Sequence, residues 1–413
     1  MPTATGQRFD CHSCTRCCRE LVVGLTDADR ARIDQQNWVG RLDMSPYVKL
    51  RGRWVLNSHA DGRCVFLLDD GRCRIHAEYG LEAKPVACRF YPFTLNLSGG
   101  EARIGWRFEC PTIARSAGRA VGSHARQLRQ WARELEWKGR TAVPLRLRGR
   151  MIATPREVDA LTSQLDVWLS DDSRPMNQRL AGAAHLTTTL GMARLRAVRG
   201  ERFAELVALL MSALPDELGS APAPVASPRQ RAMLRQLAFA HAEHVSAADL
   251  RRSVVHRLRK RWTQLRMSRQ FRLGAGPIPL LPGLSAMASF EAVEAVAAAD
   301  TQQAEISDCI VRYLRARTAS RSCMGRGYYG WSVLDGLDAL WLSVAAIGWL
   351  ARVAAAGAAR PRISYDDVIT AVGVVDRGAG RAPALGSVAE RLRLRFLRTD
   401  AGIRRLLVAY SPI

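Results

Sequence analysis

Eight of the ten cysteines lie within the first 110 residues, and their spacing points to metal chemistry. The run Cys11-x2-Cys14-x2-Cys17-Cys18 lets a tight turn direct successive sulfurs towards one centre. Its C-x2-C-x2-C part has the spacing with which bacterial ferredoxins bind three irons of a [4Fe–4S] cluster. Four thiolates also make an ordinary structural zinc site, so Zn²⁺ is the alternative ligand. Because free clustered thiols oxidise readily, we expect a bound metal rather than unliganded cysteines.

The fourth ligand of such a cluster must come from farther along the chain. The candidates are four distal cysteines, Cys64, Cys73, Cys88 and Cys110. Of these, Cys110 precedes a proline, as the last cysteine of the ferredoxin motif does. Adjacent Cys17 and Cys18 cannot readily face the same way, which gives Cys18 a different role. The eight thiols are compatible with one cluster plus one zinc, with two metals, or with one metal and several spectator thiols.

The role of the cluster is predicted from what the rest of the chain lacks. We find no flavin, haem or nicotinamide motif in the sequence, which favours a structural cluster over a redox one. Such a cluster cross-links a segment that is too irregular to bury a large core. Three histidines, His12, His59 and His76, lie among the cysteines, and we expect His76 to hydrogen-bond a metal ligand rather than to bind the metal itself.

The series that follows Cys64 resembles a known family. It runs through Cys73-Arg-Ile-His76 and Lys84-Pro-Val-Ala-Cys88-Arg-Phe-Tyr-Pro92-Phe, and it is similar to the CxxCxxCC (YkgJ-type) family of zinc- or iron-chelating cysteine clusters. Within that family the layout resembles most the longer flagellin lysine-N-methylase. That likeness continues to Cys110-Pro111, where Thr112 replaces a glutamate, and to Ile310-Val-Arg-Tyr-Leu314 with the apolar run 339–351.

The resemblance implies a head that carries an iron–sulfur cluster and a body that uses S-adenosylmethionine to methylate lysines of flagellin or another protein. The chain has neither a G-x-G-x-x-G turn between strand and helix nor a C-x3-C-x2-C run, so a cofactor pocket would be of an unusual, helical kind. Under this interpretation the candidate catalytic residues are tyrosines that orient the amine, Tyr313 ahead of Tyr328 and Tyr329. Ordinary packing aromatics are the alternative for these tyrosines. For the whole chain the alternative is a non-catalytic zinc- or iron-chelating protein whose helical body docks a partner.

The elements that must position these residues divide the chain into a head and a body. Alternating apolar residues predict hairpins over 47–56 and 94–106, and Thr26 or Asp27 begins a helix that runs to residue 33. We therefore predict a mainly α protein, with a small cysteine-rich head of short β-hairpins and a large helical body. The predicted divisions are 1–118, 119–284 and 285–413. Helix-like apolar spacing covers ten stretches of the body: 119–139, 155–171, 175–199, 201–214, 228–244, 247–272, 289–317, 332–356, 364–375 and 385–410.

The positive net charge of the chain reflects coding bias more than the kind of partner that the protein binds. The formal charge is +23, but 57 of the 61 basic residues are arginine, which disfavours selection for nucleic acid. Residues 250–272 carry nine basic residues and no acidic one. A helix there would place Val254, Leu258, Trp262 and Leu265 in one apolar stripe. An acidic protein, RNA or a membrane surface could bind this helix, and a solvated face is the alternative we favour.

The location of the protein is predicted from its apolar segments. No apolar segment precedes the first cysteines, and the longest apolar run, 339–351, has 13 residues, fewer than the ~20 that a membrane span needs. We therefore expect a cytoplasmic protein without a membrane span. A reducing compartment again favours metal over disulfides.

Overall fold

The computed structural model describes residues 6–98, 100–135, 143–218, 225–244, 246–251, 253–284 and 287–413. The α-helices in these residues are α1 (Arg16–Glu20), α2 (Asp27–Gln35), α3 (Arg74–Tyr79), α4 (Val86–Phe90), α5 (Pro111–Ala114), α6 (Ala125–Glu134), α7 (Pro155–Ser170), α8 (Met176–Met192), α9 (Glu201–Leu218), α10 (Pro228–Ala242), α11 (Ala247–Arg251), α12 (Val254–Leu273), α13 (Phe290–Ala295), α14 (Gln303–Ala319), α15 (Val333–Gly357), α16 (Tyr365–Gly378), α17 (Val388–Arg398) and α18 (Gly402–Tyr410).

The strands of the described residues form two-stranded antiparallel pairs only. They are β1 (Arg8–Phe9) with β6 (Arg119–Ala120), β2 (Tyr47–Leu50) with β3 (Arg53–Leu56), β4 (Phe93–Ser98) with β5 (Glu101–Trp106), and β7 (Arg146–Arg148) with β8 (Met151–Ile152). The mainly α class with small hairpins is confirmed. Both predicted hairpins form, although Gly99 of the second turn lies outside the described residues.

Side-chain caps explain why several helices begin where they do. Thr26 begins α2 with a capping box in which its hydroxyl accepts from the Asp29 amide at 3.0 Å, as the sequence predicted. Thr154, Ser227 and Ser364 cap α7, α10 and α16 in the same way. Each of these caps satisfies amide groups that the first helical turn leaves without a partner.

Three stretches that the sequence predicts as single helices are interrupted in the structure. The stretch 289–317 is broken between α13 and α14, and 385–410 is broken at Asp400 and Ala401, whose φ angles are positive. The stretch 247–272 ends once at Arg251 and begins again after Ser253, whose hydroxyl caps α12. Apolar periodicity continues through each break, and it therefore cannot locate the break.

Two predicted helix ends are also wrong. The stretch 119–139 is helical only over α6, and its residues from 136 onwards lie outside the described residues. Helix α9 continues past the predicted break at Pro215 and ends at Leu218. The predicted loop 273–283 contains no helix or strand after Leu273, which confirms it.

Helix α15 is the centre of the body and packs against α8, α10, α16 and α18. By length and composition alone it could cross a membrane, but 89% of its 18-residue apolar window is buried inside the protein. Helix α15 continues past both ends of the apolar run 339–351, because the charged residues that flank this run are paired. The Asp338 carboxylate accepts from Arg398 Nε at 2.5 Å, and Arg352 donates to backbone carbonyls of Val296 and Gly348.

The head has a small apolar core that is separate from the main one. It contains Ile33, Trp38, Leu56, Val65, Phe66 and Ile75. The main core extends from the body into residues 86–114 of the head. The small core is modest for a segment of this length, so other interactions must hold the head together. The divisions at 118 and 284 stay predictions.

Helix α12 exposes its apolar stripe and packs on the body through the opposite side. Leu258, Trp262 and Leu265 are exposed, while the side that contains Phe271 packs against α10. The side chains of Val254 and Arg257, and all of Arg252, lie outside the described residues. Both sides of α12 carry apolar residues, so periodicity alone could not decide which side is buried.

A buried histidine of α10 makes the stability of the fold depend on pH. His241 is 1% exposed and burial lowers its pKa to about 4, with Val375 O 3.3 Å from Nδ1. Its folded pKa lies below the ordinary value of 6.5, so its stabilising contribution is complete above pH 6.5 and is lost as pH falls towards 4. We expect the wild type to lose about 3 kcal/mol more than His241→Asn between pH 7 and pH 4.

Urea unfolding of both proteins across this pH range measures the difference. A cavity left by the asparagine lowers the free energy of unfolding by the same amount at every pH. It therefore does not change how steeply that free energy depends on pH. Parallel curves for wild type and variant would contradict the assignment.

Candidate metal centre

A short strand at the start of the head brings the first cysteines to the last one. β1 pairs with β6, and the Asp10 amide donates to Ala117 O at 3.2 Å. Gly118 has positive φ, and a Cβ there would lie 2.5 Å from the Asp10 nitrogen, so only glycine permits this close approach. Cys110 is the N-cap residue of α5, which immediately precedes this contact. Cys14 and Cys110, far apart in sequence, thus become neighbours.

A second group of cysteines is positioned by α1 and by two tight loops. The Cys64 amide donates to Cys18 O at 2.7 Å, and the loops close through the bridges Ser58↔Cys64 and Leu67↔Cys73. Cys73 begins α3 as its N-cap residue. Cys88 lies in α4, whose first amide, that of Val86, donates to the Asp29 carboxylate at 2.9 Å.

These elements enclose a cavity of about 70 Å³ that is rich in sulfur. It is lined by five cysteines together with one lysine and one tyrosine: Cys17, Cys18, Cys64, Cys73, Cys88, Lys84 and Tyr91. Lys84 was missed by the sequence interpretation. The sequence could have singled out Lys84, because it is one of only four lysines in the chain and lies four residues before Cys88.

The electrostatics of the cavity favour a thiolate at Cys18 and oppose one at the more deeply buried Cys64 and Cys88. A hydrogen bond from Cys17, with the two sulfurs 3.8 Å apart, lowers the pKa of Cys18 to about 7, and Lys84 and Arg19 add to this effect. Burial raises the pKa of Cys64 to about 12 and that of Cys88 well above its usual value. Burial also acts against the charge of Lys84, but the nearby thiols raise its pKa above the ordinary value. A cation is thus held beside a set of thiols that would carry negative charge when ligating metal.

The eight thiols form two groups by their mutual interactions. In the inner group, Cys18, Cys64, Cys73 and Cys88 lie close enough for their charges to affect one another's pKa values. In the outer group, Cys14 acts on Cys110 and Cys11 acts on Cys17. The pKa of Tyr91 is raised mainly by burial, and the charges of Cys110 and Cys17 raise it further. Cys17 is shared between the two groups, because it lines the cavity and its pKa is raised by its hydrogen bond with Cys18, by burial, and by the charges of Cys88 as well as Cys11.

The sulfurs of the two groups do not yet converge on a metal-binding point. Within the described part of the chain, no three histidine, cysteine, aspartate or glutamate side chains are placed around a common point. All ten cysteines are free thiols. The donor set fits a metal nonetheless, since each group offers four thiols, the number that tetrahedral zinc and a [4Fe–4S] cluster use.

The other residues singled out near the cysteines have ordinary partners. Arg89 is buried and paired with Glu82 at 2.6 Å and with Glu134 at 2.5 Å. His59 Nδ1 lies 3.6 Å from Asp43, and His12 is exposed. Phe90 and Phe93 are buried beside the site, as the prediction of a dry aromatic wall requires.

The three tyrosines predicted as catalytic lie in the body and do not line the sulfur-rich cavity. Tyr313 is 1% exposed, its hydroxyl is 3.5 Å from Ser343 Oγ, and its ring packs on Phe108. Tyr328 is buried, with its ring centroid 5.0 Å from that of Tyr329. Tyr329 donates to Ala382 O at 2.7 Å. These are contacts of packing aromatics, and the catalytic role stays a prediction.

The comparisons with known proteins concern the head alone. Residues 10–111 match the CxxCxxCC family. Its description reads "Putative zinc- or iron-chelating domain". The match confirms the family predicted for the head and supports zinc or iron as its ligand. No curated protein and no solved structure matches the chain significantly. Residues 112–413 lie outside the family match, so the likeness of the body to flagellin lysine-N-methylase stays a prediction.

A buried ion network joins the CxxCxxCC domain to the body. Asp376 of α16 is fully buried, and its carboxylate lies 3.2 Å from Arg107 Nε and 3.4 Å from Arg317. It also accepts the backbone amide of Glu109 at 3.2 Å. Arg381 pairs with the buried Glu109 carboxylate at 3.2 Å. Residues 107–109, directly before Cys110, are therefore fixed by the body.

Removing the charge of Asp376 should loosen this junction. Asp376→Asn leaves Arg107 and Arg317 buried without a counter-charge, and we expect a loss of about 3–5 kcal/mol in the free energy of unfolding. Asp366→Asn on the same helix is the control, because its pair with Arg115 is exposed and worth less than about 1 kcal/mol. Denaturant unfolding of the two variants measures both values. Similar losses in the two variants would show that the buried network is not what holds the head.

Proposed function

We propose that the head binds metal at two sites of four cysteines each. The outer group, Cys11, Cys14, Cys17 and Cys110, would hold a [4Fe–4S] cluster, and the inner group, Cys18, Cys64, Cys73 and Cys88, would hold zinc. The observation that carries the proposal is that Cys18, Cys64, Cys73 and Cys88 line the sulfur-rich cavity, whereas Cys14 and Cys110 interact with each other outside its lining. One thiol of adjacent Cys17 and Cys18 can then serve each site, which accounts for the doubled cysteine at the end of the motif.

The choice of metal for each site rests on spacing. The outer group combines C-x2-C-x2-C with a distal cysteine before proline, the arrangement of ferredoxin clusters. The inner group takes single thiols from separate loops and helices, as structural zinc sites with four cysteine ligands do. Zinc in this environment would supply charge and fixed coordination, and Lys84 would offset the negative charge of four thiolates.

The function of both metals would be structural. The inner thiols belong to α1, α4 and the two ends of the loop 64–73, while the outer thiols connect the start of the head to its end. Ligation therefore ties together segments whose shared apolar core is small. Metal-binding free energy of this kind acts directly as folding free energy.

Metal analysis of anaerobically purified protein tests this assignment. We expect iron and sulfide in the proportions of one [4Fe–4S] cluster and one zinc ion per chain. Cys110→Ser should lose iron and sulfide but keep zinc, and Cys73→Ser should lose zinc but keep iron. Cys309→Ala, a buried cysteine of the body, is the control and should keep both. Wild-type protein without iron would rule out the cluster, and folded variants that each lose both metals would rule out two separate sites.

A second candidate function, methyl transfer from S-adenosylmethionine to a protein lysine such as one of flagellin, draws support from a larger cavity. This cavity of about 590 Å³ lies between head and body and has the size of small-molecule sites. Apolar side chains such as Val22 and Phe90 line part of it, and titratable ones line another part: Glu20, Glu243, His244, Arg377 and Arg381. S-adenosylmethionine carries a carboxylate, two cationic groups and an apolar ring system, which mixed charges beside apolar walls can accommodate.

In that reaction the bond from the methyl group to the sulfonium breaks as a bond to the neutral lysine nitrogen forms. S-adenosylhomocysteine leaves, and the methylated amine is the other product. The residues of the chain would bind and orient the two reactants. Tyr329 is the predicted catalytic residue nearest to this cavity, since it hydrogen-bonds Ala382, which lines it.

Calorimetric titration with S-adenosylmethionine tests the second candidate. We expect saturable binding that Glu243→Gln and Arg381→Gln each weaken about tenfold or more, as the loss of a charge-assisted hydrogen bond does. Asp366→Asn, at an exposed site elsewhere, should bind as the wild type does. The absence of binding to metal-loaded wild-type protein would leave the non-catalytic metal-binding function alone.

A further inference from the structure

Helix α12 presents an exposed apolar surface. Val255, Leu258, Trp262 and Leu265 recur on one side at helical spacing, and each is more than half exposed, Trp262 by 75%. A tryptophan this exposed at the middle of a helix costs solubility and contributes nothing to the core. Exposed apolar patches of this kind mark sites of interaction. We call these four residues the α12 face.

Arginines alternate with the apolar residues of the α12 face. Arg259, Arg261, Arg266 and Arg269 are all exposed on α12. No acidic residue lies between Leu250 and Arg272 to neutralise them. The long arginine stems can lie along apolar surface while their guanidinium groups reach outward to anions.

The opposite side of α12 is anchored to the body and cannot turn over to hide this surface. The Phe271 ring packs on that of Phe239 with centroids 4.7 Å apart, and Arg235 Nε donates to Phe271 O at 3.0 Å. Gln236 donates to Ser268, and Gln264 donates to Glu243. The α12 face is therefore held outward by contacts along much of the helix.

The loop after α12 extends the apolar surface. It is tied to the end of the helix by Gln270 Nε2, which donates to Pro277 O at 2.7 Å. Leu273, Leu280 and Met287 are exposed in this segment. Exposed apolar residues thus continue along the chain from α12 into the loop that is tied to the end of the helix.

We propose that the α12 face docks the protein onto an anionic lipid surface. The apolar side chains would insert at the level of the headgroups, and the interleaved arginines would contact lipid phosphates. Exposed apolar residues flanked by arginines on one helix fit a bilayer surface that offers an apolar interior below anionic headgroups. An acidic protein would pair with the arginines but would leave Trp262 without an apolar environment unless it also offered a groove.

Co-sedimentation with lipid vesicles tests the proposal on the full chain. We expect binding to vesicles of equimolar phosphatidylcholine and phosphatidylglycerol, and at least tenfold weaker binding to phosphatidylcholine alone. The variant Leu258→Ser/Trp262→Ser and the variant Arg259→Gln/Arg266→Gln/Arg269→Gln should each lose at least tenfold. Val167→Ser/Leu209→Ser, which removes exposed apolar residues elsewhere, is the matched control and should bind as wild type does.

Several outcomes would overturn the proposal. These are no binding to anionic vesicles, equal binding to both vesicle types, or equal losses in the control. Binding to polyglutamate but not to vesicles would overturn it in favour of an acidic protein partner. Because α12 is anchored on its other side, circular dichroism should show all variants folded.

Discussion

The position of the head on the body depends on one buried carboxylate. Asp376 accepts from Arg107 and from the Glu109 amide, and both of these belong to the head. Its third partner, Arg317, comes from α14 of the body. A carboxylate withdrawn from water is tolerable only if all its partners remain in place. The segment that ends in Cys110 consequently has one position relative to the helices, and the outer cysteines are assembled around that fixed point.

The two cavities are neighbours because of this placement. Leu21, Val22 and Tyr91 line both the sulfur-rich cavity and the larger one between head and body. A shift of α1 on one side of this shared wall would change the shape of the other side. Metal binding in the head and ligand binding at the junction would therefore be coupled through packing, without any direct contact between the two ligands.

Local features were predictable from the sequence, and long-range ones were not. The hairpins at 47–56 and 94–106 and the Thr26 cap follow from alternation and capping chemistry that neighbouring residues decide. The approach of Cys14 to Cys110 and of Cys18 to Cys64 depends on the pairing of β1 with β6 and on the loop 58–64, which no short stretch specifies. Apolar spacing in 250–272 likewise could not show that the side with Phe271 packs against α10, because both sides of the helix carry apolar residues. The kink at Asp400 depends on a positive φ angle that apolar spacing does not reveal.

The short β1–β6 pair gives the head a mechanical weak point. Arg8 lies opposite Ala120, so the chain enters and leaves the head at the same end of one antiparallel pair. Tension applied between the start of the chain and the body would load these hydrogen bonds one after another rather than all together. The strand would peel away from that end, drawing Cys11 and Cys14 from Cys110 while the inner cysteines stayed enclosed. The outer group of thiols would thus open under load before the inner group does.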